Sequence, residues 1–131
     1  MTRDDIASII AKVPLLNDEG IGLSNIHGKL PKDEREQILK ETQQSLLEGS
    51  EACTKVCGWL ADKEKTKTIN RRHSSYGLKH LAEDEIGYVT NGAFIAAAIF
   101  LGFPHELEPG SINPSFEISE KSLKIGGASA P

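Results

Sequence analysis

From Tyr88 to Phe103 the chain reads YVTNGAFIAAAIFLGF, and the stretch from Ala93 to Phe103 is apolar except for Gly102. A helix with no polar face has to be enclosed by protein, because one side left in water would expose a full stripe of apolar surface. The run is shorter than the ~20 residues that a helix needs to cross a bilayer. It therefore predicts a buried helix over about residues 92–101, with Gly87 closing the element before it and Asn91 capping its start. Ala96, Ala97 and Ala98 allow neighbours to approach closely. The expected fold is mainly α, with four to five helices around this central helix and a short β element near the C-terminus.

The flanking sequence supplies the partners. Thr2 and Asp5 resemble a helix cap, after which Ile6, Ile9, Ile10 and Val13 recur at helical spacing until Pro14. Residues 17–30, with Gly20, Gly22 and Gly28, read as an irregular connection; their GxG lacks the strand and third glycine of a dinucleotide fingerprint. Pro31, Asp33 and Glu34 open a long helix. Its apolar marks at Leu39, Leu46, Cys53 and Leu60 form a heptad-like seam, with Thr42, Gly49 and Val56 as weak members. A break at Gly49-Ser50 is expected, since glycine inside a helix costs ~1 kcal/mol relative to alanine. The same seam leaves a homodimer as an alternative. Residues 61–68 read as a charged, mobile end to that helix.

Ser74 or Ser75 caps the next helix, from about Tyr76 to Ile86, with Leu78, Leu81, Ala82 and Ile86 predicted inside and Tyr76, Lys79, His80 and Glu83 on the opposite side. Prolines at 104, 109 and 114 end helical structure, and Ser115 to Ser119 alternates as a short strand. Residues 1–125 are read as one domain and 126–131 as a flexible tail.

Charge is unevenly distributed. The chain carries a formal net charge of -4, yet residues 63–80 hold six Lys or Arg against one Glu. Arg71, Arg72, His73, Ser74, Ser75 and Tyr76 gather cationic forks and hydroxyls just before a helix N-terminus, a pattern suited to phosphate. Lys65, Lys67, Arg71, Arg72, His73, Ser75, Tyr76 and Lys79 are accordingly the candidate nucleic-acid contacts. The competing reading makes the segment a solvated turn whose arginines meet the protein's own acids, either Glu83 to Glu85 or the acidic N-terminal half. A helix-turn-helix is disfavoured because GAFIAAAIF has no side chain to read base edges.

Cys53 and Cys57, one helical turn apart, predict small core residues rather than a disulfide or a zinc site, for which no second ligand pair is present. No metal or cofactor is expected. His73 or His80 beside a hydroxyl would be the starting point of a hydrolase, but spacing supplies no third, orienting group. Acidic residues near the N-terminus argue against a secretory signal, which points to the cytoplasm without a membrane partner.

The block NRRHSSYGLKHLAE followed by GYVTNGAFIAAAIFLGF, about residues 69–103, is similar to a motif of small proteins from bacteria and their plasmids and phages. The resemblance implies a mobile-element setting and assigns no activity to any residue. The expected function is a non-enzymatic accessory protein that binds DNA or RNA through phosphate. The alternative is an inhibitor or adaptor acting on a host protein complex, such as an anti-CRISPR or other anti-defence protein, through its acidic surfaces or the seam of residues 39–60. A small hydrolase ranks last. A sequence pI near 5.6 weighs against the first reading.

Overall fold

The computed structural model describes residues 1–124, so the expected tail at 126–131 lies outside the described residues. The chain runs α1 (Arg3–Lys12), β1 (Leu16–Asn17), β2 (Gly20–Ile21), α2 (Asn25–Gly28), α3 (Lys32–Leu47), α4 (Ser50–Leu60), β3 (Lys65–Asn70), α5 (Ser75–Ile86), α6 (Asn91–Phe100), β4 (His105–Glu106), β5 (Ser115–Ile118) and α7 (Glu120–Leu123). Mainly α is the observed class. Two of the seven described helices are single turns, and the strands form a two-stranded hairpin and a three-stranded antiparallel sheet in the order β3-β5-β4.

Helix α6 is buried from Asn91 to Ala98. Its alanines let α1, α4 and α5 approach, bringing Ile6, Ile9, Cys53, Val56, Trp59, Leu60, Leu78 and Ala82 into one core. Phe94 anchors it, edge-on to Trp59 at 6.1 Å and to Phe116 at 6.2 Å. Of the seam, Leu46, Cys53, Val56 and Leu60 are buried in this core, while Leu39, Thr42 and Gly49 are partly buried. The break falls where glycine predicts it, with α3 ending at Leu47 and α4 starting at Ser50. At the other end, Thr2 Oγ1 accepts from Asp5 N at 3.1 Å and Thr2 N donates to the Asp5 carboxylate at 2.8 Å, a complete capping box for α1.

Four expectations are corrected. Residues 61–68 are not wholly a mobile helix end, because Lys65–Asn70 is strand β3, antiparallel to β5; KTKTIN alternates with period two and carries β-branched residues. Residues 17–30 are only partly irregular, since Leu16 pairs with Ile21 in a hairpin and α2 follows. Helix α5 is rotated relative to the predicted faces: Leu81 is 36% exposed, whereas Lys79 is 5% exposed. The cap of α6 is Thr90, whose Oγ1 accepts from Ala93 N at 3.0 Å, and Asn91 is the first helical residue.

That last shift positions the functional region. A Cβ at Gly92 would lie 2.0 Å from the Asn17 carbonyl oxygen, so only glycine lets the hairpin seat against α6, where Gly92 N donates to Asp18 O at 3.1 Å. A Cβ at Gly20, whose φ is +151°, would lie 2.4 Å from Ile112 O, and Ile21 N donates to that oxygen at 2.9 Å. Hairpin, α6 and the loop at 111–113 are thereby fixed together.

Candidate functional site

The proposed phosphate contacts do not form one open cluster. Arg71 donates to Glu106 at 2.7 Å and Glu108 at 3.3 Å, and this pairing raises its already high pKa. His73 Nε2 meets Glu120 Oε1 at 2.9 Å. The acids that meet Arg71 and His73 thus come from the C-terminal region, whereas Lys79 and His80 meet Glu83. Ser75 is buried, with its backbone N donating to Pro114 O at 2.7 Å. Lys79 points inward and donates to Glu83 at 3.0 Å and Val89 O at 3.2 Å, so its charge is not offered to an external phosphate. Lys65, Lys67 and Arg72 remain exposed, Lys65 with its ammonium 5.3 Å from the Phe103 ring. Tyr76 belongs to a different place.

Tyr76, Lys79, His80, Glu83, Tyr88 and Asn91 line a cleft of about 620 Å³, whose opposite wall is Asp18, Glu19, Ser24 and His27 with Ile112 and Asn113. Tyr76, Lys79, His80 and Glu83 fall on one side of α5 because they are spaced by three and four residues. The hairpin clamped by Gly92 presents Asp18 and Glu19, and the single turn α2 presents His27.

Each carboxylate is held. Asp18 Oδ1 accepts from Thr90 Oγ1 at 2.8 Å. Glu19 accepts from Ser24 N at 2.7 Å and His27 Nδ1 at 2.6 Å. Glu83 accepts from Lys79, from Val89 N at 3.2 Å and from His80 Nδ1 at 2.9 Å. Burial alone would raise the pKa of Glu19 and of Glu83; these donors outweigh it and hold both below the ordinary glutamate range. Both imidazoles donate through Nδ1 to a carboxylate, which leaves Nε2 of His27 and His80 as an acceptor in the neutral form. Lys79 lies 4.9 Å from the Tyr88 ring centroid and 5.3 Å from that of Tyr76, and Tyr76 meets His80 edge-on at 4.6 Å. Tyr88 is 78% exposed.

Asn91 lines the cleft from the start of α6. Its Nδ2 donates to Glu19 O at 2.9 Å and to Asn113 Oδ1 at 2.7 Å, which fixes the amide orientation. Its Oδ1 is buried and accepts no hydrogen bond. Leaving a buried acceptor unpaired costs ~1–3 kcal/mol.

Sequence reasoning places Tyr76 and Lys79 in a phosphate-binding segment rather than in this cleft, and notes His80 and Glu83 beside them. It misses Asp18, Glu19, His27, Tyr88, Asn91 and Asn113. The available signal was a cluster of polar residues on glycine-rich connections, which reads as ordinary loop until the hairpin is seen against α6. Cys53 and Cys57 are free thiols, Cys53 buried and raised to about 12 mainly by that burial. Among the described residues, no group of His, Cys, Asp and Glu is arranged to hold a metal ion, and no helix is long and apolar enough to cross a membrane. No family model matches the chain, and no curated protein or solved structure is significantly similar to it.

Proposed function

We propose that this is a non-enzymatic interaction protein whose cleft receives a positively charged, donor-bearing side chain from a protein partner. The observation that carries this reading is the meeting of three carboxylates, Asp18, Glu19 and Glu83, with a single lysine, Lys79, in the lining of one cleft. With neutral imidazoles the lining has a formal charge of -2, since Lys79 offsets only one of Asp18, Glu19 and Glu83. That charge favours a guanidinium or ammonium and opposes a phosphate. The exposed ring of Tyr88 adds a flat surface for a guanidinium plane. An inhibitor or adaptor from a mobile element belongs to this class of binder.

Nucleic-acid binding is the second reading. It is favoured by Lys65, Lys67 and Arg72, which are exposed, although Arg72 lies within electrostatic reach of Glu120. The two readings separate by calorimetry with N-acetyl-arginine amide and with a 12-nucleotide single strand at low salt. The cleft reading expects saturable heat from the cation, lost in Tyr88→Ala, and none from the oligonucleotide. Binding of the oligonucleotide alone, unaffected by Tyr88→Ala, transfers the function to the basic surface; no heat from either probe overturns both.

A further inference from the structure

A second depression, of about 330 Å³, lies between the hairpin and α3 and is lined by Leu15, Leu23 and Leu39 together with Lys32, Arg35 and Glu36. Strand alternation explains its exposed leucine: Leu16 turns into the core and is fully buried, so Leu15 turns outward and is 54% exposed. The main chain of Leu15 is nonetheless fixed, because its carbonyl accepts from Gly22 N and from Asn17 Nδ2, each at 2.9 Å. Lys32, Arg35, Glu36 and Leu39 share one face of α3 through spacings of three and four.

The lining is polarised along α3. Gln43 Nε2 donates to Pro14 O at 2.8 Å and to Leu16 O at 3.0 Å, which places Leu15 toward the end of the face where Leu39 precedes Gln43 by one turn. Lys32 lies at the other end, about 10 Å from Leu39 at ~1.5 Å of rise per residue. Its ammonium reaches Glu36 at 4.0 Å in an exposed pair of little worth, and among the described residues no carboxylate pairs with Arg35. Glu36 offsets only one of the two cations, so the lining carries a formal charge of +1.

We propose that this depression binds a small amphipathic carboxylate, its head at Arg35 and Lys32 and its aliphatic chain laid along α3 toward Leu39 and Leu15. A guanidinium fork takes a carboxylate through two parallel N–H donors, and Arg35 has no such acid of its own. The volume stands at the low end of small-molecule sites, which suits a short chain rather than a long lipid. An amine head meets net positive charge here, whereas a bare anion leaves the three leucines without contact. The depression shares no lining residue with the carboxylate-lined cleft, so the two sites stand or fall separately.

The test is a methyl NMR titration of the whole protein with butanoate, hexanoate and octanoate, and with octan-1-ol and octylamine as neutral and cationic heads on the same chain. Octanoate should move the methyls of Leu15, Leu23 and Leu39 along one saturable curve. A half-open site gives about half the full value of a buried methylene, or about twofold per carbon, so octanoate should bind about tenfold or more tighter than butanoate. It should also bind at least about threefold tighter than octan-1-ol, and octylamine should leave these methyls unmoved. Arg35→Gln should erase the preference over octan-1-ol, and Leu15→Gln should flatten the dependence on chain length; both side chains are exposed, so both variants should melt like the parent. Equal affinity across the chain lengths, or a preference for the acid that survives Arg35→Gln, overturns the proposal without recourse to the Leu15 variant. So do octanoate shifts confined to Tyr88 and Asn91. Saturation of the same methyls by a peptide ending in a free leucine carboxylate, with none by octanoate, assigns the depression to a protein terminus and overturns the small-molecule ligand.

Discussion

Gly92→Ala joins the fold to the site in one substitution. On helix preference alone the change should stabilise, because alanine is favoured over glycine by ~1 kcal/mol inside a helix. The packing says otherwise. The new Cβ would meet Asn17 O at 2.0 Å and the Asn17 carbonyl carbon and Asp18 Cα at 2.7 Å, all of them backbone that no rotamer change moves. Ordinary contact begins near 3.4 Å, so the hairpin must retreat by about 1.4 Å. Overpacking of this kind costs ~1–3 kcal/mol. The retreat also strains two hydrogen bonds, Gly92 N to Asp18 O and Thr90 Oγ1 to Asp18 Oδ1, at ~1 kcal/mol each. The net loss is ~2–4 kcal/mol, or roughly 10 °C in Tm for a chain of this size. Urea melts read the free energy directly, with Gly58→Ala as the contrast: Gly58 lies within α4, nothing stands within 4 Å of its Cβ position, and alanine there should stabilise by ~0.5–1 kcal/mol. If Gly92→Ala proves as stable as Gly58→Ala, the close seating of the hairpin is refuted, and with it the placement of Asp18 and Glu19.

Three further outcomes are expected. Phe94→Ala should cost ~3–5 kcal/mol in chemical denaturation, because the ring is enclosed between Trp59 and Phe116; a loss under 1 kcal/mol would deny α6 its central role. Acid should destabilise in two stages. Burial lowers the pKa of His105 from 6.5, so the folded state resists its protonation and stability falls as pH drops below that value; Glu19, Glu83 and Glu120 are also held low, so their contribution is complete above the ordinary carboxylate range and is lost as pH falls through it. His105→Gln should remove the upper stage only, and an unchanged profile would contradict the assignment. Toward a thiol reagent at pH 8, Cys57 should react while Cys53, buried with its pKa raised to about 12, stays protected until unfolding; rapid modification of both would place α4 differently.

The elements whose local chemistry agrees with their surroundings were legible in the sequence. Thr2 with Asp5, Gly49-Ser50 and the apolar run after Asn91 each mark a boundary or a core face by rules that act within one turn. The lysines of KTKTIN hid a strand, because its alternation is half polar and its partner, β5, lies about fifty residues later. Lys79 was misread for a related reason. A lysine in a basic run reads as exposed, and only the fold brings Glu83 and the Val89 carbonyl around its ammonium. The cleft was the least legible part, since its walls come from residues 18–27, 76–91 and 112–113 and depend on a glycine that admits the hairpin. No periodicity within one segment encodes such a meeting.

A cationic ligand seated among Asp18, Glu19 and Glu83 lies beside Asn91 and the Tyr88 ring. Side-chain amide NMR of Asn91 during titration with N-acetyl-arginine amide tests that seating most directly. The Asn91 Nδ2 resonances and the Tyr88 ring should shift together along one saturable curve, with no movement at Lys67 or Arg72. Asn91 unmoved at the highest probe concentration, or shifts confined to Lys67 and Arg72 when a single-stranded oligonucleotide is added instead, would contradict it.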